Sequence, residues 1–192
     1  MFTGIVQGMA KFKSLDKSSS PVLVVEYELE DEVRIGDSIA INGSCLTLIE
    51  RNGNLLSFNL SRETLKLTNI ADQNKGDFLN VELPLRMNDF LGGHLVSGHV
   101  DGVVRLRSIN KSRESSKFSF TYTNRDWKKF LIPKGSVTLN GVSLTLTEIS
   151  TSFFSVEVIP HTLRTTNLQY LRIGQRVNLE LDLIAKYLYN LN

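Results

Sequence analysis

Ser38–Glu50 reads SIAINGSCLTLIE and Ser136–Glu148 reads SVTLNGVSLTLTE, so the same stretch occurs twice with a spacing of 98 residues. Sliding residues 42–83 onto 140–181 gives fifteen identities in 42 positions. Unrelated segments of ordinary composition would match at about two or three. The match continues upstream at a spacing of 94, where FTGIVQGMAKFKSL aligns with VSGHVDGVVRLRSI. A repeat of this period, about one small domain long, indicates duplicated domains and not a solenoid.

The repeat divides the 192 residues into two halves, each large enough to carry its own core. We expect a first domain over residues 1–90, a second over residues 91–182 and a C-terminal helix over residues 183–192. Residues 84–93, PLRMNDFLGG, form the expected linker, punctuated by a proline and a pair of glycines. The repeat begins at the first residues, so no segment is expected ahead of the first domain.

Composition and charge are those of an ordinary globular protein, with 41% hydrophobic and 22% charged residues. The net charge of +2, with no basic run, argues against a nucleic acid as partner. The one cysteine, Cys45, cannot form an intramolecular disulfide, which fits a reducing compartment such as the cytoplasm. Neither a signal peptide nor an apolar run of membrane-spanning length is visible, so no membrane association is expected.

Short apolar and β-branched runs predict six strands in each half. In the first half they are Val6–Leu15, Val22–Tyr27, Ser38–Asn42, Leu46–Glu50, Leu55–Leu60 and Phe78–Leu83. In the second half they are Val100–Ile109, Lys117–Thr123, Ser136–Asn140, Leu144–Glu148, Phe153–Val158 and Val177–Leu181. Six antiparallel strands in so short a chain would leave costly open edges, so each half is predicted to be a closed or nearly closed barrel of the all-β class. The stretches SRETLKLTN and PHTLRTTN are predicted one-turn helices between the fifth and sixth strands.

The spacing of the apolar residues changes after Asp182, where LIAKYLYNLN predicts a short helix. Its apolar side consists of Leu183, Ile184, Tyr187, Leu188 and Leu191. A helix of about ten residues is marginal alone, so it is expected to dock. The pattern alone allows two places for this helix: it could join a helix bundle between subunits, or it could cap its own barrel.

The familiar catalytic and metal-binding motifs are absent from the sequence, which has no nucleotide-binding glycine loop, no H-E-x-x-H and no Cys/His ligand set. His94 and His99 lie five residues apart in GGHLVSGHV. On a strand this spacing places two side chains on opposite faces, which is poor geometry for a shared metal. We therefore expect no metal site.

The repeat shows where equivalent positions carry different chemistry. The aligned pairs that differ are Cys45/Ser143, Ile5/His99 and Glu63/His161. Each residue also has a purely structural interpretation: a buried cysteine acts as a small hydrophobe, and a strand serine or a lone histidine satisfies a local hydrogen bond. The residues alone therefore predict two barrels with paired, unequal polar pockets, and they do not predict a substrate.

Several motifs, in order along essentially the whole chain, resemble the riboflavin synthase family of the alpha-chain type. They are MFTGIV, GGHLVSGHVDG, the pair NGSCLTL and NGVSLTL, and IPHTLRTTNL. The resemblance implies two six-stranded Greek-key barrels, a C-terminal helix and a homotrimer. It implies the conversion of two 6,7-dimethyl-8-ribityllumazine molecules into riboflavin and 5-amino-6-(D-ribitylamino)uracil, with neither cofactor nor metal. Association with a lumazine synthase shell is left open.

The resemblance also implies two sets of substrate-binding residues. The set assigned to the first barrel is Gly4, Ile5, Val6, Cys45, Leu46, Thr47, Asn59, Leu60, Ser61, Arg62, Glu63 and Thr64. The set assigned to the second barrel is Gly98, His99, Val100, Lys134, Ser143, Leu144, Thr145, Glu157, Val158, Ile159, Pro160, His161 and Thr162. The implied active site lies between the first barrel of one subunit and the second barrel of its neighbour.

Four positions match those that the family links to catalysis, namely Phe2, Cys45, His99 and Ser143. Removing a proton from the C7 methyl group of a lumazine needs a base poised near neutral pH, and His99 is the one of these four with a reference pKa in that range. The chain departs from the family pattern at Ser61-Arg62, where many members have an apolar residue and a proline, and in its short terminal helix.

Two other functions compete with this interpretation. A lumazine-binding antenna protein has the same fold without activity, but its second barrel has lost the ligand site and its GGHLVSGH stretch is altered, whereas both are intact here. A flavin-binding oxidoreductase barrel would need a nicotinamide-binding domain, for which the chain has no room.

Overall fold

Strands dominate the computed structural model, which describes residues 1–29, 33–112 and 114–191. The first half contains β1 (Gly8–Asp16), β2 (Val22–Glu26), β3 (Ser38–Ile41), β4 (Ser44–Asn52), β5 (Leu55–Asn59) and β6 (Phe78–Glu82). The second contains β7 (Gly102–Lys111), β8 (Ser116–Thr121), β9 (Ser136–Leu139), β10 (Val142–Ile149), β11 (Phe153–Val158) and β12 (Arg176–Leu181). All twelve predicted strands are confirmed, with bounds that move by at most two residues.

Each half closes into an antiparallel barrel with the same strand order. The first runs β1-β2-β5-β4-β3-β6, and the second repeats it as β7-β8-β11-β10-β9-β12. In both, a meander of three strands lies beside an earlier strand, which is the Greek-key arrangement. The register also shifts at equivalent places, in β1 after Phe12 and in β7 after Leu106. The predicted all-β fold of two duplicated barrels is therefore confirmed.

Two separate hydrophobic cores fill the barrel interiors, because alternate residues of each strand point inward. The first core centres on Phe58, Leu23 and Leu48, all of them fully buried. The second contains a series of stacked aromatic rings, in which the ring centroids of Phe120 and Phe154 lie 5.8 Å apart. With the interiors filled by apolar side chains, a ligand must bind on the outside of a barrel or between barrels.

The two equivalent Asn-Gly turns of the repeat meet where the barrels contact each other. Asn42 and Gly43 both have positive φ, as do Asn140 and Gly141, which is the geometry of a type I′ hairpin turn. The backbones touch, because a Cβ added at Gly43 would lie 2.6 Å from the Gly141 nitrogen. Only glycine allows this approach.

Six buried asparagines connect the barrels through hydrogen bonds that occur in pairs, once from each half. The Nδ2 of Asn69 donates to Oδ1 of Asn140 (3.0 Å), and that of Asn167 donates to Oδ1 of Asn42 (2.9 Å). The side chains of Asn80 and Asn178 likewise donate to the carbonyls of Asn140 and Asn42, at 2.8 Å each. The pairing gives the two halves a pseudo-twofold relation.

Short helices connect the fifth and sixth strands of each barrel, as predicted. They are α1 (Arg62–Leu67) and α2 (Pro160–Thr165). Ser61 caps α1 by accepting the N–H of Thr64 at 2.9 Å. The sequence reasoning did not predict the 3-10 helix Arg125–Phe130, which follows β8 in the second half.

The C-terminal helix α3 (Leu183–Asn190) is confirmed and rests one side on its own second barrel. Lys186 forms an ion pair with Asp101 (2.6 Å), and the Tyr189 ring packs edge-on against Phe130. The other side exposes apolar residues, among them Ile184, Tyr187 and Leu191. None of the helices in the described residues is long and apolar enough to cross a membrane.

Replacing Gly43 with alanine is expected to lower the free energy of unfolding by about 2–4 kcal/mol, because left-handed strain adds to overpacking against Gly141. Gly53 provides a matched control, since its φ is also positive but a Cβ there meets nothing within 4 Å. Gly53→Ala should cost only the strain, about 1 kcal/mol. Urea unfolding of both variants at equal protein concentration measures the difference. Equal losses would contradict the close backbone contact.

Candidate active site

The segment that precedes β1 is held by a buried carboxylate. The N–H groups of Thr3 and Gly4 donate to Glu82 at 2.6 and 3.0 Å, and the Thr3 hydroxyl donates at 2.8 Å. Burial raises the pKa of the Glu82 carboxyl, and these hydrogen bonds act against that rise. Glu82 therefore fixes the backbone of the glycine-containing segment that opens the first repeat.

The segment that precedes β7 is held in the same way. The N–H groups of Ser97 and Gly98 donate to Glu180 at 2.7 and 3.0 Å, and the Ser97 hydroxyl donates at 2.7 Å. Glu180 is the repeat counterpart of Glu82. Two equivalent main-chain segments are thus presented at equivalent edges of the two barrels.

The carbonyls of these segments pair with the opposite barrel. The Ser143 N–H donates to the Gly4 carbonyl (2.8 Å), and the Cys45 N–H donates to the Gly98 carbonyl (2.9 Å). Each segment therefore runs through the gap between the barrels before its own strand begins, and its glycine carbonyl is bonded to a strand of the other barrel.

Phe2 lies beside these hydrogen bonds between the barrels, and its side chain is fully buried. Its N–H donates to the Val96 carbonyl (2.8 Å), and the Val96 N–H donates back (3.1 Å). The Phe2 side chain clusters with Ala40, Val96 and Cys45. The structure therefore gives Phe2 a packing position beneath Cys45.

The glycines of the segments are required by close approach as well as by backbone conformation. A Cβ on Gly98, whose φ is 79°, would lie 2.6 Å from Cβ of Cys45. A Cβ on Gly4, whose φ is 77°, would lie 2.6 Å from Cβ of Ser143. At both sites the main chain of a glycine therefore packs directly against the side chain of Cys45 or Ser143.

Ser143 has a partner that the sequence reasoning missed. Nδ1 of His94 lies 2.7 Å from the Ser143 Oγ, and Nε2 lies 3.2 Å from Oγ1 of Thr138. Burial lowers the pKa of His94, and the charge of Asp182 acts in the opposite direction. His94 is therefore neutral at pH 7 and holds Ser143 by hydrogen bonding.

His99 and Ile5 occupy equivalent exposed positions next to the two glycines. Their N–H groups donate to the hydroxyls of Ser97 and Thr3, each at 3.1 Å. The imidazole of His99 is thus presented outward from the segment, with access to a molecule bound beside it.

The neighbouring strand residues show that the candidate sites lie on the outer faces of the barrels. Leu46 and Leu144 point into the cores and are buried, whereas Thr47 and Thr145 are exposed. Alternation along the strand places Cys45 with Thr47, and Ser143 with Thr145, on the same outer face.

Most of the remaining predicted residues lie where β5 leads into α1 and where β11 leads into α2, whereas Val6 and Val100 come shortly before β1 and β7. Leu60 and Val158 are buried, so only their main chains can face a ligand. The others are exposed or half-buried, namely Val6, Val100, Asn59, Ser61, Arg62, Glu63, Thr64, Glu157, Ile159, Pro160, His161 and Thr162. Each barrel therefore offers one strand end and one helix start at its site.

Lys134 stands in the turn before β9, with an exposed side chain and a φ of 64°. Its N–H donates to the Leu146 carbonyl (3.1 Å). A cleft of about 570 Å³ lies elsewhere, beside the asparagine cluster, and none of the predicted site residues lines it. The described residues contain no cluster of three or more His, Cys, Asp or Glu side chains arranged to hold a metal ion.

Comparison with known proteins matches both halves of the chain. The lumazine binding domain family matches residues 3–84 and 97–182. The riboflavin synthase of Escherichia coli (strain K12) is 41% identical over 185 residues, covering 95% of this chain and 87% of that protein. The riboflavin synthase of Bacillus subtilis (strain 168) is 35% identical over 191 residues, covering 98% and 88%.

Solved structures share the fold at lower sequence identity. LumP complexed with riboflavin superposes with a TM-score of 0.86 at 24% identity, covering 94% of this chain and 99% of that chain. LumP complexed with 6,7-dimethyl-8-(1'-D-ribityl) lumazine superposes with a TM-score of 0.84, covering 94% and 98%. Taken together with two matched domains and full-length relatives, these similarities show that the chain belongs to the riboflavin synthase family of lumazine-binding proteins.

Proposed function

We propose that this protein is a riboflavin synthase. It converts two molecules of 6,7-dimethyl-8-ribityllumazine into riboflavin and 5-amino-6-(D-ribitylamino)uracil by transfer of a four-carbon unit. The observation that carries the proposal is the 41% identity to an Escherichia coli riboflavin synthase across 95% of this chain. The two products together contain all the atoms of the two substrate molecules, so the reaction needs no external oxidant and no cofactor.

Each chain has two places for a lumazine ring, which suits a reaction between two identical molecules. Main-chain groups that follow Gly4 and Gly98 can bond the polar edges of the rings, beside the Ser143 and Cys45 side chains against which the two glycines pack. Thr47 and Thr145 offer exposed hydroxyls on the same faces as Cys45 and Ser143. Holding the two rings face to face supplies much of the acceleration, because it converts a bimolecular encounter into an intramolecular one.

Four residues have proposed roles in the chemistry. His99 takes the proton from the C7 methyl group of one ring, whose anion is delocalised over the ring system. Ser143 and Cys45 orient or deliver a nucleophile at the partner ring. Phe2 supports the site from below, since it is fully buried against Cys45.

The functional assembly is a homotrimer in the cytoplasm, with the active site between the first barrel of one subunit and the second barrel of a neighbour. The outward position of both sites supports this arrangement, because a single chain leaves them open to water. The exposed apolar side of α3 supports it too. The domains are residues 1–90 and 91–182, followed by the helical segment 183–192. Association with a lumazine synthase shell is a further possible assembly of the trimer.

A non-catalytic lumazine- or flavin-binding antenna protein is the competing function, since LumP shares the fold. Incubating the purified protein with 6,7-dimethyl-8-ribityllumazine alone, followed by chromatography, separates the two. We expect one riboflavin and one pyrimidine product for every two lumazines consumed. Tight binding of the lumazine without any turnover would overturn the synthase proposal.

A further inference from the structure

We propose that the cleft beside the asparagine cluster binds a small planar heterocycle that carries a negatively charged substituent. Its volume of about 570 Å³ lies within the range of about 300–1,000 Å³ that is usual for small-molecule sites. The cleft opens between two loops that are repeat counterparts, residues 72–78 and 170–176. None of the proposed catalytic residues lines it, so the inference goes beyond the proposed function and does not depend on it.

The base of the cleft has no free polar groups to offer a ligand. It consists of Asn42, Asn69, Asn140 and Asn167, all of them buried. Their side-chain amides are hydrogen-bonded to one another across the two barrels. Every buried side-chain nitrogen and oxygen in the described part of the chain has a partner. A ligand must therefore be recognised by the rim, where the two loops carry different residues.

Part of the rim is aromatic. The rings of Phe78 and Tyr170 stack with their centroids 5.1 Å apart and an interplanar angle of 18°. The repeat counterparts of these two residues are Arg176 and Asp72, which form an ion pair at 3.0 Å. Of the two equivalent pairs, only the aromatic one lines the cleft among the described residues. Because Tyr170 is 50% exposed, a planar ring can extend the stack on its open surface.

Two glutamine side chains of the rim are each fixed at one end of the amide and open at the other. Nε2 of Gln73 donates to the Asn69 carbonyl (2.8 Å), which leaves Oε1 as an acceptor. Oε1 of Gln175 accepts the Arg172 N–H (3.0 Å), which leaves Nε2 as a donor. Neither amide forms another hydrogen bond with the described residues. One fixed acceptor and one fixed donor suit a lactam edge, in which an N–H stands next to a C=O.

The rim also carries a cation that the fold does not use. Arg172 is exposed, and its guanidinium forms no hydrogen bond or ion pair with any described residue. The carboxylate of Asp77 lines the cleft too, but it accepts the Asn74 N–H at 2.7 Å and is engaged by its own loop. A guanidinium can bind a phosphate or a carboxylate through two parallel N–H groups. The ligand that fits this rim therefore joins a flat lactam ring to an anionic group.

Uridine 5′-monophosphate is the probe for this site, because uracil has the lactam edge and the phosphate has the charge. Calorimetric titration of the full chain should give a dissociation constant below about 1 mM. Uridine and inorganic phosphate each carry only part of the recognition, so each should bind at least about tenfold more weakly. Hydrogen–deuterium exchange with the probe bound should slow in residues 72–78 and 170–176 together, and should stay unchanged around Gly4 and Gly98.

Variants of the rim locate the binding. Arg172→Ala should weaken binding of the probe by at least about tenfold, and Tyr170→Ala by at least about fivefold. Both side chains are exposed, so neither replacement should affect the fold. Lys75→Ala is the matched control, because it removes an exposed cation of the facing loop that does not line the cleft, and binding should change by less than about twofold. His99→Gln should leave binding of the probe unchanged.

Two kinds of result would overturn the inference. The first is no binding at millimolar probe, or binding that survives both Arg172→Ala and Tyr170→Ala. The second is uridine or inorganic phosphate that binds as tightly as the probe, since the site needs both the ring and the charge. A chain that binds the probe in the cleft but makes no riboflavin would defeat the proposed function alone and leave this inference standing.

Discussion

Replacing His99 with glutamine is expected to lower turnover by about 10²-fold or more, within the range for general acid–base catalysis. His99 is exposed beside Gly98, and imidazole is the side chain that enzymes use most often as a general base. A neutral amide can keep one hydrogen bond to the substrate but cannot accept the C7 methyl proton. Substrate affinity should therefore stay close to that of the native protein.

Two measurements check this expectation. Steady-state kinetics gives the change in kcat, and deuterium exchange at the C7 methyl group reports the proton transfer directly. Slow exchange without enzyme must be subtracted as background. If His99 only packed near the edge of the site, binding and rate would weaken together. A folded His99→Gln variant with native assembly and near-native turnover would leave solvent, or a water molecule beside Ser143, as the acceptor.

Much of the fold follows from local patterns that the repeat reinforces. Strand positions follow from period-two alternation, and an Asn-Gly dipeptide such as Asn42-Gly43 has one strong geometric meaning, a tight turn. The hydrogen-bond partners within the asparagine cluster could not be predicted, because a single sequence does not show which side chains meet across two halves. The 3-10 helix Arg125–Phe130 was missed because it is only six residues long, and its two apolar residues, Trp127 and Phe130, are too few to reveal a period.

The sequence proposes the members of the candidate site, and the structure adds which of them lie next to each other. Comparing the halves singled out Cys45 and Ser143, because duplicated positions with different chemistry stand out. The hydrogen bonds from Ser143 to the Gly4 carbonyl and from Cys45 to the Gly98 carbonyl could not be predicted, because they depend on how the chain crosses the gap between the barrels. His94 was considered only as a metal ligand on an assumed strand, whereas in the structure it lies outside any strand and faces Ser143.

Removal of residues 183–192 is expected to convert the proposed trimer into monomers that keep both barrels folded but lose most of their activity. On its own barrel the helix buries Ala185, packs the Tyr189 ring against Phe130 and under Lys129, and forms one ion pair, and surface ion pairs are worth about 0–1 kcal/mol. Its exposed apolar residues have much more to gain from burial between subunits, at about 25 cal/mol per Å². Without the trimer, the two sites that must face each other across subunits never meet.

A pair of point variants tests the same idea without deleting the helix. Ile184→Lys combined with Tyr187→Lys places two charges on the exposed side of α3 and should give monomers. Lys186→Gln is the matched control, because it breaks the contact with Asp101 on the barrel side and leaves the exposed side intact, so it should stay trimeric. Sedimentation velocity and the lumazine assay, run on the same samples, link assembly to turnover. A double variant that sediments as a trimer with native turnover would show that contacts elsewhere hold the subunits, and that α3 serves only as a cap on its own barrel.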